Sequence, residues 1–332
     1  MKNIHVITDI KECGEIWNQV VPKEHLSDLW EVRECFQNQY RHKPYFIIHE
    51  DKNVINGFLP LSKNEDTGYF VCFPGETWSG KTWLEQNRLI AKDNNVLQSM
   101  MKMVKGSYNL RYLQPVDWIS EEDKVVDEVG YFFLPPNYDY KIEQYHTEFS
   151  GKSIKRLKKE LESFESRNIE YIYDNDSDFE TLVSLNLNRY GEYSYFGDNK
   201  FLKSFYSLVK LLRDRNWLRM TTIIIDGQTA AVDMGCVYGS TYTLLAGGTN
   251  AEFPGVAKLI NMHHMKWACE KKLKRVDFLC GDFNWKTQFH LTPHPLYQLT
   301  GHKEKAVKSR SQLVSEWLTP QPGYSAGSMS NA

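Results

Sequence analysis

The residues best suited to chemistry fall in a few short segments of this 332-residue chain. The run from Val276 to Lys286 reads as a buried strand ending in Gly281-Asp282, followed by the aromatic-Lys pair Trp285-Lys286. At the carboxyl end of a strand, a lysine can hold a developing oxyanion or a phosphate. An aspartate there can orient an attacking amine or take its proton. Asp282 and Lys286 are the candidate catalytic pair, and a surface ion pair capping a loop is the plainer alternative.

A second segment, Asn250 to Lys258, runs from a strand into a helix. Gly255 lets the chain turn without a Cβ clash. The helix that follows opens with unbonded N–H groups at the positive end of its dipole. Gly255, Val256, Ala257 and Lys258 therefore form a candidate pyrophosphate cradle, with an ordinary glycine cap as the alternative. Val256, Leu259, Ile260, His263 and Trp267 are its expected inward face.

Two further segments carry competing readings. Gly75 to Thr82 (GETWSGKT) matches the P-loop pattern GxxxxGK[ST] letter for letter. No hydrophobic strand ending in a metal-binding acid accompanies it, so the expectation is an interdomain loop whose Trp78 and Trp83 line an acceptor pocket. Core packing of the two tryptophans is the alternative, and a nucleotide-dependent enzyme is the alternative function. Lys152, Lys155, Arg156, Lys158 and Lys159 crowd one predicted helix and could steer a tRNA or a phosphorylated donor. With Glu160, Glu162 and Glu165 close behind, a solvated charged face is the preferred reading.

Other chemistries find no support. His263-His264 lacks a metalloprotease pattern, and His290 and His294 lack partner ligands, so no metal site is expected. No GxSxG elbow is present. Six scattered cysteines with no CxxC pair read as reduced thiols in a cytoplasmic protein. The opening residues lack the apolar core of a signal peptide, and no apolar run is long enough to span a membrane. With 40 basic against 42 acidic residues the net charge is −2. Global charge thus points away from nucleic-acid or membrane-surface binding and leaves room only for a local basic patch.

The elements that would position these residues form a mixed pattern. Helices are expected at Lys23–Phe36 and Leu84–Val104, with strands at Pro44–Ile48, Val54–Ser62, Tyr69–Phe73, Leu110–Leu113 and Tyr131–Leu134. After Pro135-Pro136, helices at Ser153–Ser163, Asp178–Leu187 and Lys200–Arg213 precede strands at Leu218–Ile225, Thr229–Tyr238 and Thr241–Ala246. A helix over Gly255–Lys272 and a strand over Lys274–Cys280 follow. Antiparallel strands on short turns and one helical crossover describe an α+β fold with a mixed α/β sheet.

The order of these segments resembles the GNAT acyltransferases of the CelD/BcsL branch, related to the Fem-type peptidyl transferases. The resemblance rests on the strand–Gly–Asp–x–x–aromatic–Lys run, on Pro293-His294-Pro295-Leu296-Tyr297, on Pro254-Gly255 and on Leu187–Asp198 (LNRYGEYSYFGD), and covers Ile154 to Tyr297. It implies tandem GNAT-like domains: a degenerate one over 1–138, the acyltransferase over 139–301, and a flexible tail over 302–332. It implies transfer of an acyl or aminoacyl group to the amine of a small molecule or peptide by direct attack. The donor would be acyl-CoA lying on Gly255–Lys258, or an aminoacyl-tRNA as in the Fem-type relatives; a carrier protein is a further possibility. Pro254-Gly255 has one glycine where the usual GNAT loop has several. Lys286 matches the lysine thought to steady the tetrahedral intermediate, and the strand Ala231–Val237 would lend an N–H to the carbonyl. Arg189, Tyr190 and Tyr195 are expected at the substrate. A catalytically silent GNAT-like binding module is the remaining alternative.

Overall fold

The computed structural model describes residues 2–116, 125–175, 177–281 and 283–301. Asp282 and the expected tail over 302–332 lie outside the described residues. The first elements in chain order are β1 (Lys2–Ile7), α1 (Ile10–Val20), α2 (Trp30–Tyr40), β2 (Lys43–Asp51), β3 (Val54–Lys63), β4 (Phe70–Cys72), β5 (Ile90–Ala91), α3 (Asn94–Met101), β6 (Tyr108–Leu113) and β7 (Val125–Phe133). Then come α4 (Ile142–Tyr145), α5 (Gly151–Glu165), β8 (Ile169–Tyr173), α6 (Asp178–Tyr190), α7 (Asn199–Asp214), β9 (Leu218–Ile225), β10 (Gln228–Tyr238), β11 (Thr241–Thr249), α8 (Val256–Glu270), β12 (Arg275–Cys280), α9 (Asn284–Gln288) and β13 (Thr292–Gly301).

The order strand, two helices, three strands, helix, strand occurs twice, from β1 to β6 and again from β8 to β12, with β5 as the one insertion. In each copy the strands lie in sequence order: β1-β2-β3-β4-β6 and β8-β9-β10-β11-β12. The first four are antiparallel neighbours in the second copy, and β12 joins parallel to β11 after the α8 crossover. In the first copy β6 likewise joins parallel to β4 after α3. A parallel neighbour requires such a crossover, whereas the antiparallel ones need only tight turns such as Asp226-Gly227. The fold is thus a tandem repeat of a mixed-sheet α/β unit of GNAT-like topology.

The chain forms two compact units that are not contiguous in sequence. The first contains the described residues up to Val129, then Asp198–Arg215 and the chain from His294; the second contains Gly130–Gly197 and Asn216–Pro293. Two strands and a helix therefore leave the repeat they follow. Gly130, Phe132 and Phe133 of β7 pair with β12 in the second unit, and β13 pairs with β6 in the first. Helix α7 packs in the first unit beside its counterpart α2, where Phe36 meets Phe201 and Phe205.

Both faces of the first unit's sheet are covered. Phe46 and Ile48 of β2 pack with Trp17 of α1, while Ile47 between them packs with Leu97 and Met100 of α3. A strand buried on both sides reads as a continuous apolar run, as PYFII does. In the second unit, α5 and α8 cover one face through Phe164, Val256, Leu259 and Ile260 against Ile223, Ile225 and Ala231.

Two expected helices are shorter than the sequence suggests. The segment from Lys23 begins with a single turn at Leu26–Asp28, and the α-helix starts only at Trp30. Asp28 accepts the N–H groups of Glu24 and His25 and binds Arg88, so its side chain competes with helical bonding. Over Leu84–Val104 only Asn94–Met101 is helical. The backbone before it bonds elsewhere: Leu84 N–H to Glu76, Asn87 N–H to Tyr112, and Gln114 N–H to the Asn87 carbonyl.

Candidate functional site

The feature that organises the second unit is the parting of β11 from β12. Their ladder runs only from Thr241/Arg275 to Thr243/Asp277. Beyond it, Leu244–Thr249 keep β10 as neighbour on one edge while the edge toward β12 carries no ladder among the described residues. Backbone N–H groups on such an edge are open to a ligand carbonyl. The strand Ala231–Val237, expected to supply that N–H, is instead interior to the sheet. It lies in β10, paired with β9 on one side and β11 on the other, so its amides are committed to the ladders. The residues that can act are those of β11.

Lys286 sits at the root of this opening. Its side chain is only 2% exposed. Its ammonium donates to three successive backbone carbonyls, Phe278 at 3.0 Å, Leu279 at 2.8 Å and Cys280 at 3.1 Å. These carbonyls converge because β12 bulges between Asp277 and Cys280, with Leu279 at φ 57° and Gly281 at φ 111°. Asp277 seals the same bulge by accepting the Leu279 N–H at 2.8 Å. The rings of Tyr131 and Phe283 flank the ammonium at 5.3 and 5.6 Å. In this arrangement Lys286 shapes the strand end at which β12 leaves β11, and its three N–H donors point at the chain itself.

The start of α8 differs from an open anion cradle. Gly255 adopts φ 88°, a conformation that glycine takes without strain. The Val256 N–H is bonded to the Phe253 carbonyl and the Lys258 N–H to the Gly255 carbonyl. The Lys258 ammonium is ion-paired with Glu160 of α5, and Arg156 approaches the same carboxylate at 3.8 Å. The cation that a diphosphate at this helix start would use is thus already paired. Of the expected inward face of α8, Val256, Leu259 and Ile260 are buried while His263 and Trp267 are half-buried, and His264 is fully buried. His263 stacks on Tyr171 at 4.4 Å and meets the Tyr173 hydroxyl at 3.1 Å. Burial, then the nearby His264 and Arg219, push its pKa down to about 4.

Under α8 lies a buried polar pair that sequence reading missed. His264 Nε2 is 3.0 Å from Asp233 of β10, and the Tyr242 hydroxyl lies 3.5 Å from the same nitrogen. Burial, with the Asp233 charge beside it, drives the Tyr242 hydroxyl well above its ordinary pKa. Space for the cluster comes from glycines. A Cβ on Gly247 would lie 2.4 Å from Asp233 Oδ1, and one on Gly235 would lie 2.1 Å from the Tyr242 ring. The paired signal in the sequence was those two glycines inside otherwise β-rich runs.

On the opposite face, α6 rests directly on β11: a Cβ on Gly248 would be 2.8 Å from Leu185 and 2.9 Å from the Leu182 carbonyl. Asn186 donates to the Gly247 carbonyl at 3.0 Å and accepts from the Ser194 hydroxyl at 2.6 Å. Arg189 donates to Thr249 at the end of β11, 3.1 Å away. The segment Arg189–Tyr195 is thereby pinned to the strand edge. Arg189, Tyr190 and Tyr193 are exposed and Tyr195 is half-buried. Tyr193 is a surface residue that the sequence reading left out.

The remaining expectations resolve in the first unit. The P-loop lookalike is filled by its own carboxylate: Glu76 accepts the Thr82 hydroxyl and the N–H groups of Trp83 (3.1 Å) and Leu84 (2.8 Å). Burial pushes the Glu76 carboxyl up. The loop leads into extended chain and not into a helix, and Trp78 and Lys81 form a small bridge with the ammonium over the indole. Trp83 is 8% exposed and stacks on Phe36 at 5.5 Å, with Phe205 at 4.8 Å. It fills core and does not line an open pocket.

Comparison with known proteins agrees with this architecture. Residues 150–287 match the family model described as an acetyltransferase (GNAT) domain. No curated protein matches the sequence. Among solved structures, the chain is similar to FemX, with a TM-score of 0.56 at 10% identity, covering 95% of this chain and 99% of that one. A conserved protein of unknown function from Bacteroides thetaiotaomicron gives 0.57 at 11% identity, covering 90% and 99%. The L-PGS structure from Bacillus licheniformis gives 0.51 at 10% identity, covering 88% and 98%. At such identities the likeness is one of fold. The second unit has the fold of a GNAT acyltransferase domain, and among the described residues no helix is long and apolar enough to cross a membrane.

Proposed function

We propose that the protein transfers an acyl or aminoacyl group to an amine, with the reacting carbonyl held at the parting of β11 and β12. The observation that carries this reading is the edge of Leu244–Thr249 that carries no ladder toward β12 among the described residues, beside a β12 end whose carbonyls Lys286 holds. The amine attacks the carbonyl carbon and forms a tetrahedral intermediate whose oxyanion takes an N–H from that edge. The intermediate collapses with loss of the donor's alcohol or thiol, and the amine's proton is passed on. Asp282 is the proposed acceptor of that proton. Lys286 is a positioning residue: it fixes the strand end and steadies the intermediate through the backbone it holds. Arg189, Tyr190, Tyr193 and Tyr195, anchored on β11 by Asn186 and Ser194, are the proposed contacts for the acceptor.

For the donor, the α8 start favours an aminoacyl ester of RNA over acyl-CoA. Lys258 is matched by Glu160, and two of the first N–H groups are bonded within the loop. A donor screen with acyl-CoA and aminoacyl-tRNA, read by mass spectrometry of the acylated amine, tests this reading. Transfer from aminoacyl-tRNA alone is expected. Transfer from acyl-CoA that is lost on Lys258→Ala would reverse the assignment.

A further inference from the structure

The N-terminal half of α5 is built against its own stability. Lys152, Lys155, Arg156 and Lys159 follow the spacing i, i+3, i+4, i+7 and are all exposed, opposite the buried Leu157 and Phe164. No acid occurs in the first turn, and none lies between Ser150 and Lys159. Cations at this end oppose the helix dipole. Among the described residues Lys152, Lys155, Lys158 and Lys159 form no ion pair, and Arg156 has only the distant Glu160. Gly151, the first helical residue, is a second cost. It has no positive φ, and nothing lies within 4 Å of where its Cβ would be. Neither conformation nor packing asks for glycine there, so it adds only its entropic cost. The Ser150 hydroxyl already caps the Ser153 N–H.

We infer that this face of α5, from Ser150 to Lys159, docks the phosphate backbone of an RNA. The inference rests on the reading that the donor is an RNA ester, and places its body along the helix whose Glu160 pairs with Lys258 at the α8 start. The four-cation stripe rises about 10 Å along the helix, a length that follows consecutive phosphates and not a single ion.

The test compares the full-length protein with the variant Lys152→Glu/Lys155→Glu/Arg156→Glu/Lys159→Glu. Acids at a helix N-terminus suit the dipole, so the variant is expected to melt no lower than the parent. Binding of bulk tRNA is measured by anisotropy across a salt series. The expected result is binding by the parent, an affinity at least about tenfold weaker in the variant, and a salt slope flatter by about 3. Equal tRNA binding by both proteins overturns the inference. So does binding of anionic phosphatidylglycerol vesicles with none of tRNA. If aminoacyl-tRNA serves as donor with the same KM for both proteins, the docking face is refuted and the donor reading stands. Transfer from acyl-CoA with no RNA binding refutes both.

Discussion

Three consecutive backbone carbonyls aimed at one ammonium make Lys286 the residue on which the β12 end depends. Replacing it by methionine leaves those carbonyls without their donor, and a buried unsatisfied polar group costs about 1–3 kcal/mol. Lys286→Met is therefore expected to lose about 3 kcal/mol or more in urea denaturation and to abolish transfer. Wild-type stability with lost activity would mean that the ammonium acts on the substrate instead. Glu76 gives a parallel prediction. Lys81→Ala, which would cripple a P-loop, is expected to change stability by less than about 0.5 kcal/mol. Glu76→Ala, which strips three donors of their acceptor, is expected to cost about 2 kcal/mol. Thermal shift with and without ATP checks both, and no nucleotide-dependent shift is expected. Lys286 stands out in the sequence as a lysine shortly after a strand-ending glycine. Its partners do not, because a two-residue bulge and a left-handed Leu279 leave no mark in composition. The P-loop match failed for a related reason: a pattern of letters does not say which acceptor fills the loop, and here the chain supplies Glu76.

Elements in the second unit meet through glycines and a buried hydrogen-bonded pair, His264 and Asp233. Gly247→Ala drives a methyl group into Asp233, which is tied to His264; overpacking of this kind costs about 1–3 kcal/mol. In an Asp233→Ala background the same change should cost less, so a double-mutant cycle should return a coupling of at least about 0.5 kcal/mol. Additivity would show that the contact is relieved elsewhere. Helix α8 also carries a pH dependence. The depressed pKa of His263, about 4 in the folded protein, lies below the 6.5 of the free side chain. Between those values the unfolded chain binds more protons, so stability falls as pH drops from about 6.5 to about 4. Tyr171, Tyr173, His264, Arg219 and Lys266 face this ring. His263→Phe should flatten the melting temperature across that window, and an unchanged profile would assign the acid sensitivity to other groups. Helices and strands of the second unit were readable from periodicity, hairpin turns and the Gly255 start. Phase is only partly so: a helix buried on more than one side gives no clean stripe, and the periodicity that places Val256, Leu259 and Ile260 inward does not single out His264. In the first unit, Leu84 to Asp93 read as helix because its residues are good helix formers, yet non-local acceptors took the backbone.

At the scale of the molecule, the same strand order occurs twice, and the strand that follows each copy pairs with the last strand of the other. That pairing could not be read from sequence order, since β7 and β13 each follow the copy whose crossover they then leave. The second unit begins at Gly130 within β7 and takes in chain on both sides of α7, a division that no linker in the sequence marks. The GNAT-like character of the second half was legible through a resemblance carried by the Gly281 to Lys286 run, Pro254-Gly255 and Leu187–Asp198; the order of hairpins and Gly-led helix alone described only a mixed α/β sheet. The donor is the point on which the functional account turns. The measurement that tests it most directly is single-turnover transfer from labelled aminoacyl-tRNA and from labelled acyl-CoA to a panel of amines, with the parent and Lys286→Met. The account predicts amide formation from the aminoacyl ester by the parent only. Amide formation by Lys286→Met at the parental rate, or none by the parent with either donor, would contradict it.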